Sequence, residues 1–571
     1  MKIVYILVLL LGITSCEFLD RRPLDKISDD VVWNDVNLVN ANLAILYAST
    51  PLFYNENSNL CLMQDFMAGD VFIDNAPYSW VNGELSETGG VMEHWAYDKI
   101  YELNTFIQKV GSSTIEQSIA QTRIAEARFL RAFHYFEMVK RYGGVPIITE
   151  PQTPDLSKEE LFVKRNSEKE VYDFIAAECD EIATILPEVA TEYGRVTKYA
   201  TLALKSRAML YAGSIAQFGK LQLNGLLGFN LSESKNYWQA SYDASKKIVN
   251  STNFQLYNKE SDKSYNFQRI FLDEKNSETI FSKVYNGLGK VGHSYDYYHY
   301  PAGFNKFWGG NAFPFLEIVN KYDYLDGRSG NLDATALAGK EFDMNELFGN
   351  RDPRLYGSVL YAESKFRNGV LLSHNGTYVN GVLNTSNQIL GVYNNSNWFA
   401  RCPASQNRMT GFAIKKYINE AEEQVQKNES HIDYIVYRYA ETLLNLAEAA
   451  FELGKENEAL EYINQIRDRA GIYKYTSITR ELIRKERALE LAFEGHRFWD
   501  LRRWRIAVEE LSKKRNGIEL NFNWDTKKYE VKIINADSGD RNFAEKHYYL
   551  PITMKRISNN PNLSPENPGY K

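Results

Sequence analysis

Cysteine is scarce, with only Cys16, Cys61, Cys179 and Cys402 in 571 residues. No two of them have metal-site or redox-motif spacing, which excludes a zinc module and a dithiol oxidoreductase. With Cys16 set aside for a reason given below, three remain. An odd remainder argues against a full disulfide framework, so buried free thiols with at most one bridge are expected. Neither HExxH nor GxSxG occurs, so zinc-protease and nucleophile-elbow chemistry have no motif to start from. Positive charge is not in excess: 66 Lys and Arg face 73 Asp and Glu, a formal net charge of −7. Without a basic stretch, nucleic acid is not an expected partner. Beyond the N-terminus no apolar run reaches the roughly 18 residues of a membrane helix. No low-complexity linker divides the chain, so residues 16–571 read as one continuous domain, although length alone would allow about three or four.

Aromatic residues are in surplus, with 38 Tyr, 30 Phe and 9 Trp making 13% of the chain. A buried tyrosine hydroxyl wants a partner. A tyrosine excess is therefore shared between satisfied helix contacts and half-exposed rings, which can stack on sugar or peptide.

The N-terminus reads as an address. Lys2 is followed by the apolar run Ile3 to Ile13, which is of signal-peptide length and too short to span a bilayer. It ends in Ile13-Thr14-Ser15-Cys16, small residues before a cysteine, as in a lipobox. Cleavage after residue 15 and lipidation of Cys16 are expected, leaving a soluble chain held to a membrane by acyl chains.

Most of the periodicity is helical. Ala127, Leu130, His134 and Met138 step by three, four and four along one helix face, and Gly143-Gly144 ends that helix. Glu441 to Ala470 reads as a helical hairpin: Leu443, Ala447 and Ala450 face Ala459, Ile463, Ile466 and Ala470 across a turn at Gly454. The pattern looks like a tetratricopeptide repeat. Thr197 to Tyr211 with Trp238 to Val249 forms a looser second hairpin, and Ser167 to Leu186 and Glu481 to Trp504 add to the stack. The expected fold is mainly α, a tetratricopeptide-like hairpin scaffold over about 30–250 and 431–571, with long irregular loops and a few short strands. Residues 251–430 are rich in Asn, Gly, Tyr, Ser and Phe, the kind of loop region where binding residues sit on a rigid scaffold.

Five segments in order carry a family resemblance: Cys16-Glu17-Phe18-Leu19-Asp20 with Pro23; Glu126 to Ala132 through Tyr142-Gly143-Gly144-Val145-Pro146; Arg351-Asp352-Pro353-Arg354; Glu486-Arg487 through Phe493 to Trp504; and Tyr549 to Ile552 with Asn560 to Leu563 and Asn567 to Tyr570. The chain resembles the SusD/RagB family of nutrient-binding outer-membrane lipoproteins. The resemblance implies an outer-membrane lipoprotein, and the acidic residues after Cys16 resemble surface-export signals, which favour the cell exterior. It also implies a SusC-like TonB-dependent transporter as partner and an oligosaccharide as ligand, with peptide capture as the alternative. It implies neither enzyme activity nor a cofactor.

Glu486, Glu490 and Glu494 are spaced one helical turn apart. A glycosidase needs two carboxylates across a bond; an ion-paired structural helix, with Arg487, Arg497, Arg502 and Arg503 nearby, is the favoured reading. Trp499 and Trp504 read as core. Gly287, Gly289 and Gly292 spell GxGxxG after a strand-like Thr279 to Val284, but no amphipathic helix follows, which points to a loop rather than a nucleotide site. His293, Asp296 and His299 could meet on a metal if the segment were helical; the tyrosines between them favour an exposed loop. His134 reads as a satisfied core histidine.

For a glycan, aromatic faces must combine with amide and carboxylate groups. Two segments offer that mix: Asp65 to Asn82, with Asp70, Trp80 and Asn82, and Tyr285 to Trp308, with Tyr295, Tyr297, Tyr298 and Trp308. Trp398, among Asn394, Asn395 and Asn397, is a third candidate. Loop packing is the competing reading for each ring.

Overall fold

The computed structural model describes residues 29–570 apart from 87, 91, 287–290, 389–390, 394–408 and 423; the side chains of Asp29, Asp30 and Trp80 also lie outside the description. Cys16, Trp398 and Cys402 therefore fall outside the described residues. Cys61 and Cys179 are buried free thiols.

Helices build the frame. The first half contains α1 (Val36–Ser49), α2 (Tyr97–Gly111), α3 (Gln117–Tyr142), α4 (Glu168–Ile182), α5 (Lys198–Phe218) and α6 (Ser234–Val249). From α2 to α6, each helix packs on the next in sequence. A short α7 (Tyr295–His299) lies in the middle region. The second half contributes α8 (Tyr439–Glu452), α9 (Glu456–Ala470), α10 (Arg480–Glu490), α11 (Arg497–Arg503) and α12 (Met554–Asn559). Helix α8 packs on α6, α9 and α10, so the stack continues across the loop-rich middle. This is a tetratricopeptide-like scaffold, mainly α.

The helix starts are written locally. Ser167 and Glu170 cap α4 reciprocally, Thr197 accepts from Ala200 N at the start of α5, and Thr479 accepts from Leu482 N at the start of α10. Two stripes of the α8–α9 hairpin, Leu443, Ala447 and Ala450 against Ala459, Ile463, Ile466 and Ala470, are fully buried. In α5, Gly213 leaves room for a ring: a Cβ there would lie 2.8 Å from Trp238 Cδ2 on α6. Helix α3 is more enclosed than its one-face periodicity implies. Phe129, Phe133, Tyr135 and Phe136 are buried along with Ala127, Leu130, His134 and Met138, because α3 has α1, α2, α4 and α5 around it.

Strands position the loops. β1 (Val71–Ile73) pairs antiparallel with β3 (Ala312–Pro314), and β2 (Thr279–Lys283) pairs with β7 (Tyr434–Arg438). A five-stranded sheet has the order β4 (Glu341–Phe342), β9 (Lys528–Asn535), β8 (Asn516–Asn523), β5 (Gly376–Val379) and β6 (Val382–Asn384); β8 and β5 run parallel and the other pairs antiparallel. The eight-residue strands β8 and β9 lie inside a stretch read from sequence as helical scaffold. Ile518, Leu520, Phe522, Tyr529 and Val531 are buried and supply the sheet's core face.

The Glu481 to Trp504 stretch is two helices, not one. It breaks at Leu491–His496, where Phe493 and Gly495 take φ of +63° and +74°. Glu494 thus leaves the helix, yet all three glutamates enter one buried ion network. Arg354 Nη1 meets Glu486 Oε1 at 2.6 Å and Glu490 Oε2 at 2.9 Å. Arg438 Nη1 meets Glu278 Oε1 and Glu490 Oε1, each at 2.7 Å. Arg438 and Lys416 bind Glu494, Arg467 binds Glu486, and Arg469 bridges Glu278 and Glu490. With the Asp352–Arg354 pair, five acidic groups (Asp352, Glu278, Glu486, Glu490, Glu494) balance five basic ones (Arg354, Arg438, Arg467, Arg469, Lys416). The cations come from remote segments rather than from the adjacent arginines. Arg487 instead pairs with Asp500, and Arg503 with Glu448 and Asp500. Burial opposes ionisation of Glu490, but Arg469, Arg438 and Arg354 outweigh it and hold its carboxyl well below the ordinary range. A carboxylate that is fully buried and cannot keep a proton at neutral pH is no general acid; it ties the loops to the scaffold. Trp499 and Trp504 are buried, each donating its indole N–H, to Gln64 and Glu448.

Candidate ligand-binding surface

The short β1–β3 ribbon joins the two candidate segments. In the antiparallel register Ile73 faces Ala312, so the chain leaving β1 and the chain entering β3 emerge side by side. Asp74 N donates to Asn311 O at 2.9 Å just beyond the ladder. One loop then runs through a single 3-10 turn, Tyr78–Trp80, to Asn82, and the other is residues 300–311. Tyr78 anchors the first loop: its hydroxyl donates to Asp537 Oδ1 at 2.9 Å, and its ring meets Phe66 edge-on.

The second loop is held at its base and open at its tip. Gly310 N donates to Tyr300 O at 2.7 Å, Phe304 packs edge-on against Phe366, and Asn305 Nδ2 donates to Val425 O at 3.2 Å. At the tip, Phe307 and Trp308 are 44% and 51% exposed, beside Gly309 and Gly310 at φ +153° and +64°. Two large aromatics adjacent in sequence are thus left half in water on a loop whose base is pinned. Tyr297 and Tyr298 are half-buried in α7, edge to face at 4.9 Å, with Tyr298 O accepting from Asn311 N at the base of the same loop. Asn82 donates to Glu84 Oε1 at 3.2 Å, and its Oδ1 has no hydrogen-bond partner among the described residues.

Two sequence candidates do not reach this surface. Asp70 is 3% exposed, where the chain turns into β1; Arg497 Nε lies 3.4 Å from its Oδ1, and Phe315 N donates to its carbonyl. Burial raises its carboxyl above the ordinary value, against the pull of Arg497 and Lys321. Tyr295 is 2% exposed and enclosed by the rings of Phe53, His293, His299 and Tyr417. Both are interior supports. The Trp80 backbone lies in the first loop, its side chain outside the described atoms, and Trp398 lies outside the described residues altogether. Phe307, half in water beside Trp308, was not among the sequence candidates, although an aromatic pair followed by two glycines was the available signal.

The histidine segment is buried, not an exposed loop: His293 precedes α7 in a bridge with Ser430, and Asp296 and His299 lie on α7. His293 Nε2 meets Ile432 O at 2.7 Å, Asp296 accepts from Ser430 Oγ at 2.6 Å, and His299 Nε2 meets Cys61 Sγ at 3.0 Å. Each turns to a different partner, and no group of metal-ligating side chains converges among the described residues. Burial lowers His293 to about 4 and His299 to about 3, and raises Asp296 to about 6. His134 is a core histidine, 3.0 Å from His94 and 3.3 Å from Thr50 Oγ1. Of the GxGxxG residues only Gly292 is described; its N donates to Asn428 O in a loop, with no long helix behind it.

Fold and surface together define a class: a tetratricopeptide-like helical scaffold that carries ordered aromatic loops. The SusD family model matches residues 277–570, and a second, described as starch-binding associating with outer membrane, matches residues 17–210. The chain belongs to the SusD family. It is 25% identical to SusD-like protein P2 of Formosa agariphila, over 100% of this chain and 99% of that one. Among solved structures it is similar to a SusD-like protein from Bacteroides fragilis, with 26% identity, TM-score 0.74 and coverage of 96% and 100% of the two chains. A SusD-like carbohydrate binding protein, also from Bacteroides fragilis, shares its fold at 24% identity and TM-score 0.72, over 93% and 100% of the chains.

Proposed function

We propose that this protein captures glycans at the cell surface and binds them without cleaving them. The observation that carries the reading is the β1–β3 ribbon, from whose one end leave both the chain toward the Tyr78–Asn82 loop and the pinned loop that exposes Phe307 and Trp308. A pyranose ring has an apolar face of C–H bonds suited to such rings, and its hydroxyls suit amides such as Asn82. The carbohydrate-binding relative of the same fold and the starch-binding description of the matched family support this chemistry over peptide capture.

The same reading makes the protein an outer-membrane lipoprotein anchored through Cys16, facing outward and delivering ligand to a SusC-like TonB-dependent transporter. The family description supports the membrane association. No helix among the described residues is long and apolar enough to cross a membrane. The test is gel-retardation and calorimetric binding to soluble polysaccharides with wild type, Phe307→Ala and Trp308→Ala. Loss of about tenfold or more in both variants is expected; glycan binding that both variants retain in full would remove this surface from the account.

A further inference from the structure

A second concavity lies away from the aromatic loops. It is a cleft of about 520 Å³ between the start of α2, the 146–163 segment and α12, and it shares no lining residue with the Tyr78–Asn82 or Phe307–Trp308 loops. That volume falls within the roughly 300–1,000 Å³ of small-ligand sites. Trp95 and Tyr97, half-buried and 5.1 Å apart between ring centroids, supply apolar walls. Gln152 and Asn559 add amide groups.

The charged side of the cleft is unbalanced. Arg556 is fixed from two directions: its guanidinium lies 4.8 Å over Trp95, and its Nη2 donates to Glu93 Oε2 at 2.6 Å. Thr553 Oγ1 accepts from Arg556 N and sets the first turn of α12. Arg556 Nη1 is buried yet has no hydrogen-bond partner among the described residues. A buried donor left unmade is costly, and a planar guanidinium suits a carboxylate. Glu93 is engaged by Nη2, while the exposed Lys555 also lines the cleft, so the lining carries two cations and one anion.

We propose that this cleft is a second saccharide site, selective for a sugar bearing a carboxylate, such as a hexuronate. Its ring rests against Trp95 and Tyr97, its hydroxyls meet Gln152 and Asn559, and its carboxylate pairs with the Lys555 ammonium, with the Arg556 side chain turning its unpaired Nη1 outward to share it in a charge-assisted bond. The proposal rests on the glycan-capture reading and adds a site and a charge preference to it.

The test is calorimetric titration of the mature chain with oligogalacturonate, against a neutral oligosaccharide of equal length. Arg556→Gln, Lys555→Ala and Trp308→Ala run beside wild type, with melting temperatures recorded. Oligogalacturonate affinity should fall about tenfold or more in Arg556→Gln, fall less in Lys555→Ala, weaken with added salt and persist in Trp308→Ala. Because Arg556 also packs on Trp95, the exposed Lys555→Ala variant reports even if Arg556→Gln is unstable. Oligogalacturonate binding unchanged by both cleft variants, or none at all while neutral glycans bind through Trp308, overturns the second site and leaves the main reading standing. Failure of every saccharide overturns both.

Discussion

Glu490 shows how a residue can mislead by type and be explained by place. In sequence it is one of three evenly spaced acids; in the fold it is fully buried beneath Arg354, Arg438 and Arg469. Glu490→Ala leaves those guanidiniums uncompensated and is expected to cost about 3–5 kcal/mol, read as a lower denaturant midpoint. The Asp296 carboxyl is shifted in the opposite direction. Burial raises its carboxyl to about 6, so its contribution to stability is complete below the unfolded value of about 3.9 and is lost as pH rises through 6. The stability of Asp296→Asn relative to wild type should therefore rise by about 2 kcal/mol between pH 4 and pH 7.5, checked by melting at both pH values; a constant difference would contradict it. Residue type alone pointed to Trp308, Tyr297 and Tyr298. It also pointed to Asp70 and Tyr295, because burial is set by partners such as Arg497 and Phe53 that are remote in sequence.

Among the elements, the α8–α9 hairpin was legible because a 3.6-residue stripe and a Gly454 turn are local signals. Helices α3 to α6 were legible as helical stretches as well. The β1–β3 ribbon was not, since three-residue strands carry almost no periodicity and their pairing spans the length between Ile73 and Ala312. The β8–β9 hairpin was missed for a different reason: its alternating Ile518, Leu520 and Phe522 lie within a stretch dominated by helical signals. The α5–α6 contact gives an element-level prediction. Gly213→Val places a branched side chain where even a Cβ would be 2.8 Å from Trp238, so a loss of about 1–3 kcal/mol or more is expected. A variant melting at the wild-type temperature would mean that α6 shifts freely.

For the whole molecule, buried apolar side chains from Val39 to Tyr570 form one large cluster that takes in Val71, Ile73 and Ala312 of the β1–β3 ribbon, while Phe72, Phe313 and Phe315 form a small separate one. Attachment is a separate matter. Cys16→Ala is expected to move the protein out of the outer-membrane fraction, seen by fractionation and immunoblot; full retention would mean that the lipid is not the anchor. The central claim is that the aromatic loops take sugar. Its most direct test is calorimetric titration of the mature chain with plant, microbial and host glycans and with a peptide digest, repeated on Trp308→Ala. The account predicts a glycan that binds wild type, binds Trp308→Ala at least about tenfold more weakly, and has no peptide counterpart. Peptide binding lost on the same substitution, with every glycan silent, would contradict it.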